Sequence, residues 1–122
     1  MNKKKDFKIA LVGDSGVGKT FQCRNICNDH KLVLPTKLVD IHVYLDKNGN
    51  RYRIWELSGS TNAPEEFYET FFKDCKIGTI LWDKDPSNIE AWREFIKGYL
   101  PTEPIFEVNK VEELINILSN IK

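Results

Sequence analysis

Gly13-Asp14-Ser15-Gly16-Val17-Gly18-Lys19-Thr20 is the stretch on which the reading of this chain turns. It meets the pattern G-x-x-x-x-G-K-[ST] at each fixed position. Ahead of it, Phe7-Lys8-Ile9-Ala10-Leu11-Val12 ends in a continuous apolar run suited to a buried parallel strand. Behind it, Phe21-Gln22-Cys23-Arg24-Asn25-Ile26-Cys27 places Cys23, Ile26 and Cys27 at helical spacing. Strand, glycine loop and helix are the setting in which this pattern cradles phosphate. Gly13, Gly16 and Gly18 let the chain curl so that successive N–H groups point into one concavity. The helix that begins near Lys19 adds unpaired amides and the positive end of its dipole. Lys19 brings a cation to the outer phosphates, and the Thr20 hydroxyl is placed to ligate magnesium. The whole loop, Asp14, Ser15 and Val17 included, is the predicted nucleoside polyphosphate site.

A length of 122 residues predicts one domain over 1–122, with residues 1–5 as a short basic tail (Lys3, Lys4 and Lys5). Eighteen acidic and 18 basic residues balance, which gives no basic field for nucleic acid or anionic lipid. No apolar run approaches a membrane span and no hydrophobic signal segment precedes the first strand, so a cytosolic chain is expected. The C-terminal Ser119-Asn120-Ile121-Lys122 offers no cysteine for a prenyl group, which predicts no lipid anchor of that kind. Cys23 and Cys27, one helical turn apart, read as small buried apolar residues, and Cys75 stands alone. His30 and His42 read as a loop histidine and an exposed strand residue.

Beyond the first helix, Asn28-Asp29-His30-Lys31 reads as a polar break and Val33-Leu34-Pro35-Thr36-Lys37 as a loop. From Leu38 the pattern alternates, with Val39, Ile41, Val43 and Leu45 on one side and Asp40, His42 and Tyr44 on the other, as in a half-buried strand. Asn48-Gly49 signals a tight hairpin, and Arg51-Tyr52-Arg53-Ile54-Trp55 is its antiparallel return. Pro64-Glu65-Glu66 opens a helix whose apolar side holds Phe67, Phe71 and Phe72. A buried strand follows from Ile77 to Trp82. Ser87 and Glu90 have the spacing of a capping box for a helix with Ile89, Trp92, Ile96 and Tyr99 on one face. Ile105 to Val108 reads as a strand, and Val111, Leu114, Ile115, Leu118 and Ile121 mark a last helix. The order β-α-β-β-α-β-α-β-α predicts an α/β phosphate-loop fold: a mixed, mostly parallel sheet of five to six strands with helices on both faces.

These stretches together resemble a small GTPase of the Ras superfamily, nearest in wording to the Rab branch. Phe7 to Thr20 resembles that family's opening strand and loop. Pro35-Thr36-Lys37-Leu38-Val39-Asp40 resembles its first switch, where a threonine completes the magnesium shell. Ile54-Trp55-Glu56-Leu57-Ser58-Gly59 resembles the I-W-D-T-A-G opening of the second switch. The resemblance implies GTP or GDP as ligand and Mg2+ held through Thr20, Thr36 and Glu56. It also implies that Gly59 senses the γ-phosphate, and that effector or regulator proteins read the loops around Thr36 and Gly59.

The chain departs from the family at three places. Glu56 stands for the family's aspartate, which moves the carboxylate outward by a methylene, and magnesium demands tight octahedral geometry. Ser60 stands for the glutamine that orients the attacking water, so hydrolysis is expected to be slow or absent. Asn109-Lys110-Val111-Glu112 admits two readings. It is a degenerate N-K-x-D, with Asn109 and Lys110 at the base, or it is an N-cap and its N3 partner where the family's fifth strand and following helix have been deleted. Either a reduced GTPase switch or an inactive protein-binding module with relaxed nucleotide choice follows. A sheet edge exposed by deletion would suit pairing with a second copy.

Overall fold

The computed structural model describes residues 5–14, 16–27, 29–31, 39–57 and 63–120. Over these the chain runs β1 (Asp6–Val12), α1 (Lys19–Ile26), β2 (Asp29–Lys31), β3 (Val39–Leu45), β4 (Arg51–Leu57), α2 (Glu65–Phe72), β5 (Ile77–Leu81), α3 (Ile89–Tyr99), β6 (Ile105–Val108) and α4 (Val111–Ser119). The predicted mixed sheet is present, with six strands in the order β2-β3-β4-β1-β5-β6. β1 lies parallel to β4 and β5, β5 lies parallel to β6, and only β3 runs against its neighbours. The Asn48-Gly49 hairpin explains that reversal: Asp46 accepts hydrogen bonds from the Asn48 and Asn50 amides, and Gly49 takes a φ of 86°.

The sheet is buried on both sides, which is why β1 and β5 read as continuous apolar runs rather than alternating ones. On one face Ile9, Leu11, Ile54 and Leu81 pack beneath α1 and α4, which contribute Cys23, Val111, Leu114 and Leu118. On the other, Ala10, Val12, Leu57 and Ile80 meet Phe71 and Phe72 of α2 and Ile96 of α3. Lys8, on this second face, is buried and donates to the Thr70 and Lys73 carbonyls at the end of α2. It supplies the cation that a helix C-terminus favours and lies 3.8 Å from the Trp55 ring centroid. Burial pulls its pKa below the usual lysine value.

Four expectations from sequence need correction. The break at residues 28–31 contains β2, an edge strand paired antiparallel with β3. His42 is not exposed. It is 2% accessible, because α1 covers the face of β3 that alternation assigned to solvent. The predicted capping box does not form at α3: Asn88 is the cap residue, and the Ser87 amide donates to Asp85 Oδ1. At α4 the cap residue is Lys110, and the Asn109 amide is bound by Glu113 rather than Glu112. No helix among the described residues is long and apolar enough to cross a membrane.

Candidate phosphate-binding site

The C-terminal ends of the parallel strands carry the groups of interest, as α/β topology favours. β1 runs out into Gly13 and Asp14, β4 ends at Glu56 and Leu57, β5 at Leu81, and β6 at Val108 before Asn109 and Lys110. Gly18 is the cap residue of α1 in the left-handed region (φ 91°), and Gly16 is also left-handed at 85°. The first turn of α1 holds no acidic residue, whereas α2, α3 and α4 each carry glutamate there. That leaves the α1 amides and dipole open to an anion.

Lys19 folds back over the loop, its Nζ donating to Gly13 O at 2.8 Å and Asp14 O at 3.0 Å. Burial lowers its pKa, while Glu56 and Asp14 oppose that shift. Thr20 Oγ1 donates to Glu56 Oε2 at 2.5 Å, and Glu56 Oε1 lies 2.8 Å from His42 Nε2. Thr20 and Glu56, read separately from sequence as metal ligands, therefore meet at the foot of the loop. The site fits the groups such a loop implies. A hydroxyl beside a carboxylate is the hard oxygen set magnesium takes, and Gly16 and Gly18 take the left-handed backbone that curls such a loop. Thr36, Gly59, Ser60 and Ser15 lie outside the described residues.

Four residues in or beside the site were not assigned to it from sequence. His42 pairs in register with Ile54, and its side chain reaches diagonally to Glu56 two residues on. Trp92 Nε1 and Asn88 Nδ2, both from the α3 segment, hold the two Asp14 carboxylate oxygens at 2.9 and 3.0 Å. Phe21, directly after Thr20, is 71% exposed on α1. The faint signal for it was an aromatic residue on the polar side of a short helix.

The Asp14 anchor gives a direct prediction. Trp92→Phe keeps the ring packed on Phe95 (5.9 Å between centroids) but removes the donor. A hydrogen bond to a charged group contributes about 1.5–3 kcal/mol. Because Asn88 still holds Asp14, the expected loss is at the lower end, about 1.5–2 kcal/mol. Urea unfolding measures it, and hydrogen exchange at Gly16 to Gly18 should quicken.

Asn109 Nδ2 donates to Trp82 O, tying β6 to the end of β5. Lys110 and Glu112 line a cleft of about 250 Å³ with Gln22 and Ile26 of α1. Gln22 Oε1 accepts from the Val111 amide at the head of α4. The candidate base-reading residues thus stand beside the phosphate-loop helix, but Asn109 Nδ2 is taken by the Trp82 carbonyl. A larger cleft, about 570 Å³, opens at the opposite end of the sheet between Phe72, Cys75, Tyr99 and Thr102. It shares no residue with the phosphate loop.

No family model matches the chain. Over 99% of its length it is 31% identical to the tRNA threonylcarbamoyladenosine biosynthesis protein TsaE of Rickettsia typhi, of which it covers 76%. It is 32% identical, with the same coverage of both chains, to the protein of that name from Rickettsia prowazekii. The Ras-related protein RABG3d of Arabidopsis thaliana is 26% identical over 80% of the chain, which spans about half (52%) of that relative. The Ras-superfamily resemblance thus holds at the coarser level of a P-loop nucleotide-binding protein. With a phosphate loop, a carboxylate at its foot and relatives matched over nearly the whole of this chain, the chain belongs to the P-loop nucleotide-binding family represented by the TsaE proteins of Rickettsia.

Proposed function

We propose that this protein is a magnesium-dependent nucleotide switch of Ras-like design, with slow hydrolysis and loose choice of base. The observation that carries the reading is the contact between Thr20 and Glu56 at the foot of the loop. It supports a magnesium position shared by hydroxyl and carboxylate, with Thr36 and Gly59 as further groups sensing the γ-phosphate. Ser60 in the place of a water-orienting glutamine supports slow turnover. GTP and GDP are the first candidate ligands. Asn109, committed to Trp82 O, supports weakened discrimination against adenine, because base rejection needs a donor and acceptor set kept for the ligand. Effector or regulator proteins would read the loops around Thr36 and Gly59.

Titration calorimetry of nucleotide-free protein with GTP, GDP and ATP, with and without Mg2+, tests this. GTP and ATP are expected to bind within about tenfold of each other, a difference of about 1.4 kcal/mol. Glu56→Gln should cut the enhancement by magnesium about tenfold while leaving metal-free binding nearly unchanged. Absence of binding to every nucleotide would refute the switch and favour a protein-binding module. A second reading, a part in tRNA threonylcarbamoyladenosine biosynthesis, is favoured by the identity that runs over 99% of the chain. Restoration of that modification in cells lacking their own TsaE would support it, and failure at matched expression would count against it.

A further inference from the structure

Beneath α1, three side chains converge that the nucleotide reading does not use together. We propose that Cys23, His42 and Glu56 form a second cation site, for a borderline-soft divalent metal of the zinc class. Their ligand atoms, one from each residue, all lie within 4.8 Å of one another, and all three residues are buried. His42 Nε2 and Glu56 Oε1 are already 2.8 Å apart. In a tetrahedral zinc site a sulfur and a nitrogen ligand stand about 3.5 Å apart. The widest pair is therefore at most about 1.3 Å beyond that spacing, and the 2.8 Å contact between His42 and Glu56 must open slightly for both to face one metal.

The backbone fixes all three positions. Cys23 faces the sheet from the second turn of α1, and His42 and Glu56 are diagonal neighbours on the paired strands β3 and β4. Ligands on helices and strands hold metal geometry better than ligands on loops. The charge pattern favours a cation as well. Asp40 stands directly opposite Glu56 in the antiparallel ladder, where like charges are unfavourable. The donor set chooses the metal: thiolate and imidazole with one carboxylate suit zinc and cobalt, whereas magnesium takes oxygen ligands. Glu56 turns one oxygen toward each position, Oε1 toward His42 and Oε2 toward Thr20. The plain alternative is that Cys23 is only a core residue, which predicts no metal affinity at all.

Cobalt(II) is the probe, because a thiolate ligand gives it a near-ultraviolet charge-transfer band and tetrahedral geometry gives it visible bands. The chain contains three cysteines, so a Cys27→Ser/Cys75→Ala double variant, with native circular dichroism as the entry check, leaves Cys23 as the sole thiol. Reduced, metal-free and nucleotide-free protein, wild type and double variant alike, should develop both bands at one equivalent, and zinc should bleach them. His42→Gln should weaken cobalt binding by about tenfold or more, the scale on which lost metal-site groups act. Adding Cys23→Ser should remove the charge-transfer band. If the double variant does not fold, the wild type is read with Cys23→Ser alone. No charge-transfer band in folded wild type at large cobalt excess overturns the proposal, and so does a band that survives Cys23→Ser. Nucleotide binding is measured separately, so failure of this site and failure of the switch are distinguishable.

Discussion

Gly13→Ala is expected to lower folding stability and abolish nucleotide binding in one step. A Cβ at this position would lie 2.3 Å from Leu81 O, 3.3 Å from Leu81 C and 3.4 Å from Val17 Cγ2. The first of these is far inside van der Waals contact, and the obstacle is backbone rather than a side chain that could turn away. Leu81 cannot retreat easily, since β5 is held by β1 on one side and β6 on the other. Either the ladder opens or the loop lifts, and forcing extra volume into a packed interior costs about 1–3 kcal/mol or more. A lifted loop no longer places its amides and Lys19 around one phosphate group. Thermal unfolding and titration calorimetry read the two effects. Gly16→Ala is the control for folding stability alone, since Gly16 belongs to the phosphate loop. Its Cβ would meet nothing within 4 Å, and its only penalty is the left-handed φ of 85°, about 1–2 kcal/mol. Equal losses for both variants would refute the contact with Leu81 as the cause.

Phe71→Ala should be the most damaging single truncation in the layer formed by α2 and α3. Phe71 is 1% exposed and sits among Trp55, Phe67 and Phe72, with centroid distances of 6.2, 6.3 and 4.9 Å. The Trp55 and Phe72 contacts are edge-on, the arrangement aromatic quadrupoles favour. Phe→Ala in a core costs about 3–5 kcal/mol through lost transfer energy and the cavity left behind. Typical stabilities are only about 5–15 kcal/mol, so the variant should be marginal at room temperature. Denaturant unfolding gives the number, and Phe71→Leu should lose clearly less because it retains more of the volume. A loss below about 1 kcal/mol for the alanine variant would place Phe71 outside the cooperative core.

How far the sequence reveals this molecule depends on what each signal measures. The phosphate loop was legible because its requirements are local: glycines for the curl, then a lysine and a hydroxyl at fixed offsets. The hairpin was legible for the same reason. Alternation in β3 separated two faces correctly but could not say that both are covered. Covering the His42 face depends on α1, whose short and weakly patterned helix gives no hint of what it packs upon. β2 escaped notice because Asp29-His30-Lys31 has no apolar period, and its pairing is imposed by β3. At α3 the spacing of Ser87 and Glu90 suits a cap, but Asp85, two residues before Ser87, takes the Ser87 amide. Asp14 was legible as a loop residue and not as the anchor of α3, since Trp92 lies 78 residues away along the chain.

The bond between Gln22 and the Val111 amide joins residues 89 positions apart, and this separation governs the order in which the molecule can be made. A ribosome releases the phosphate loop early, yet the layer covering that side of the sheet needs Val111, Leu114 and Leu118 of α4. Until α4 emerges, the faces of α1, β1 and β4 that it shields stay wet, and the non-local closure that completes them comes last. The nascent chain therefore carries a nucleotide motif before it has a finished nucleotide-binding fold. Chaperone dependence during synthesis should fall when translation passes α4, and not when it passes the loop.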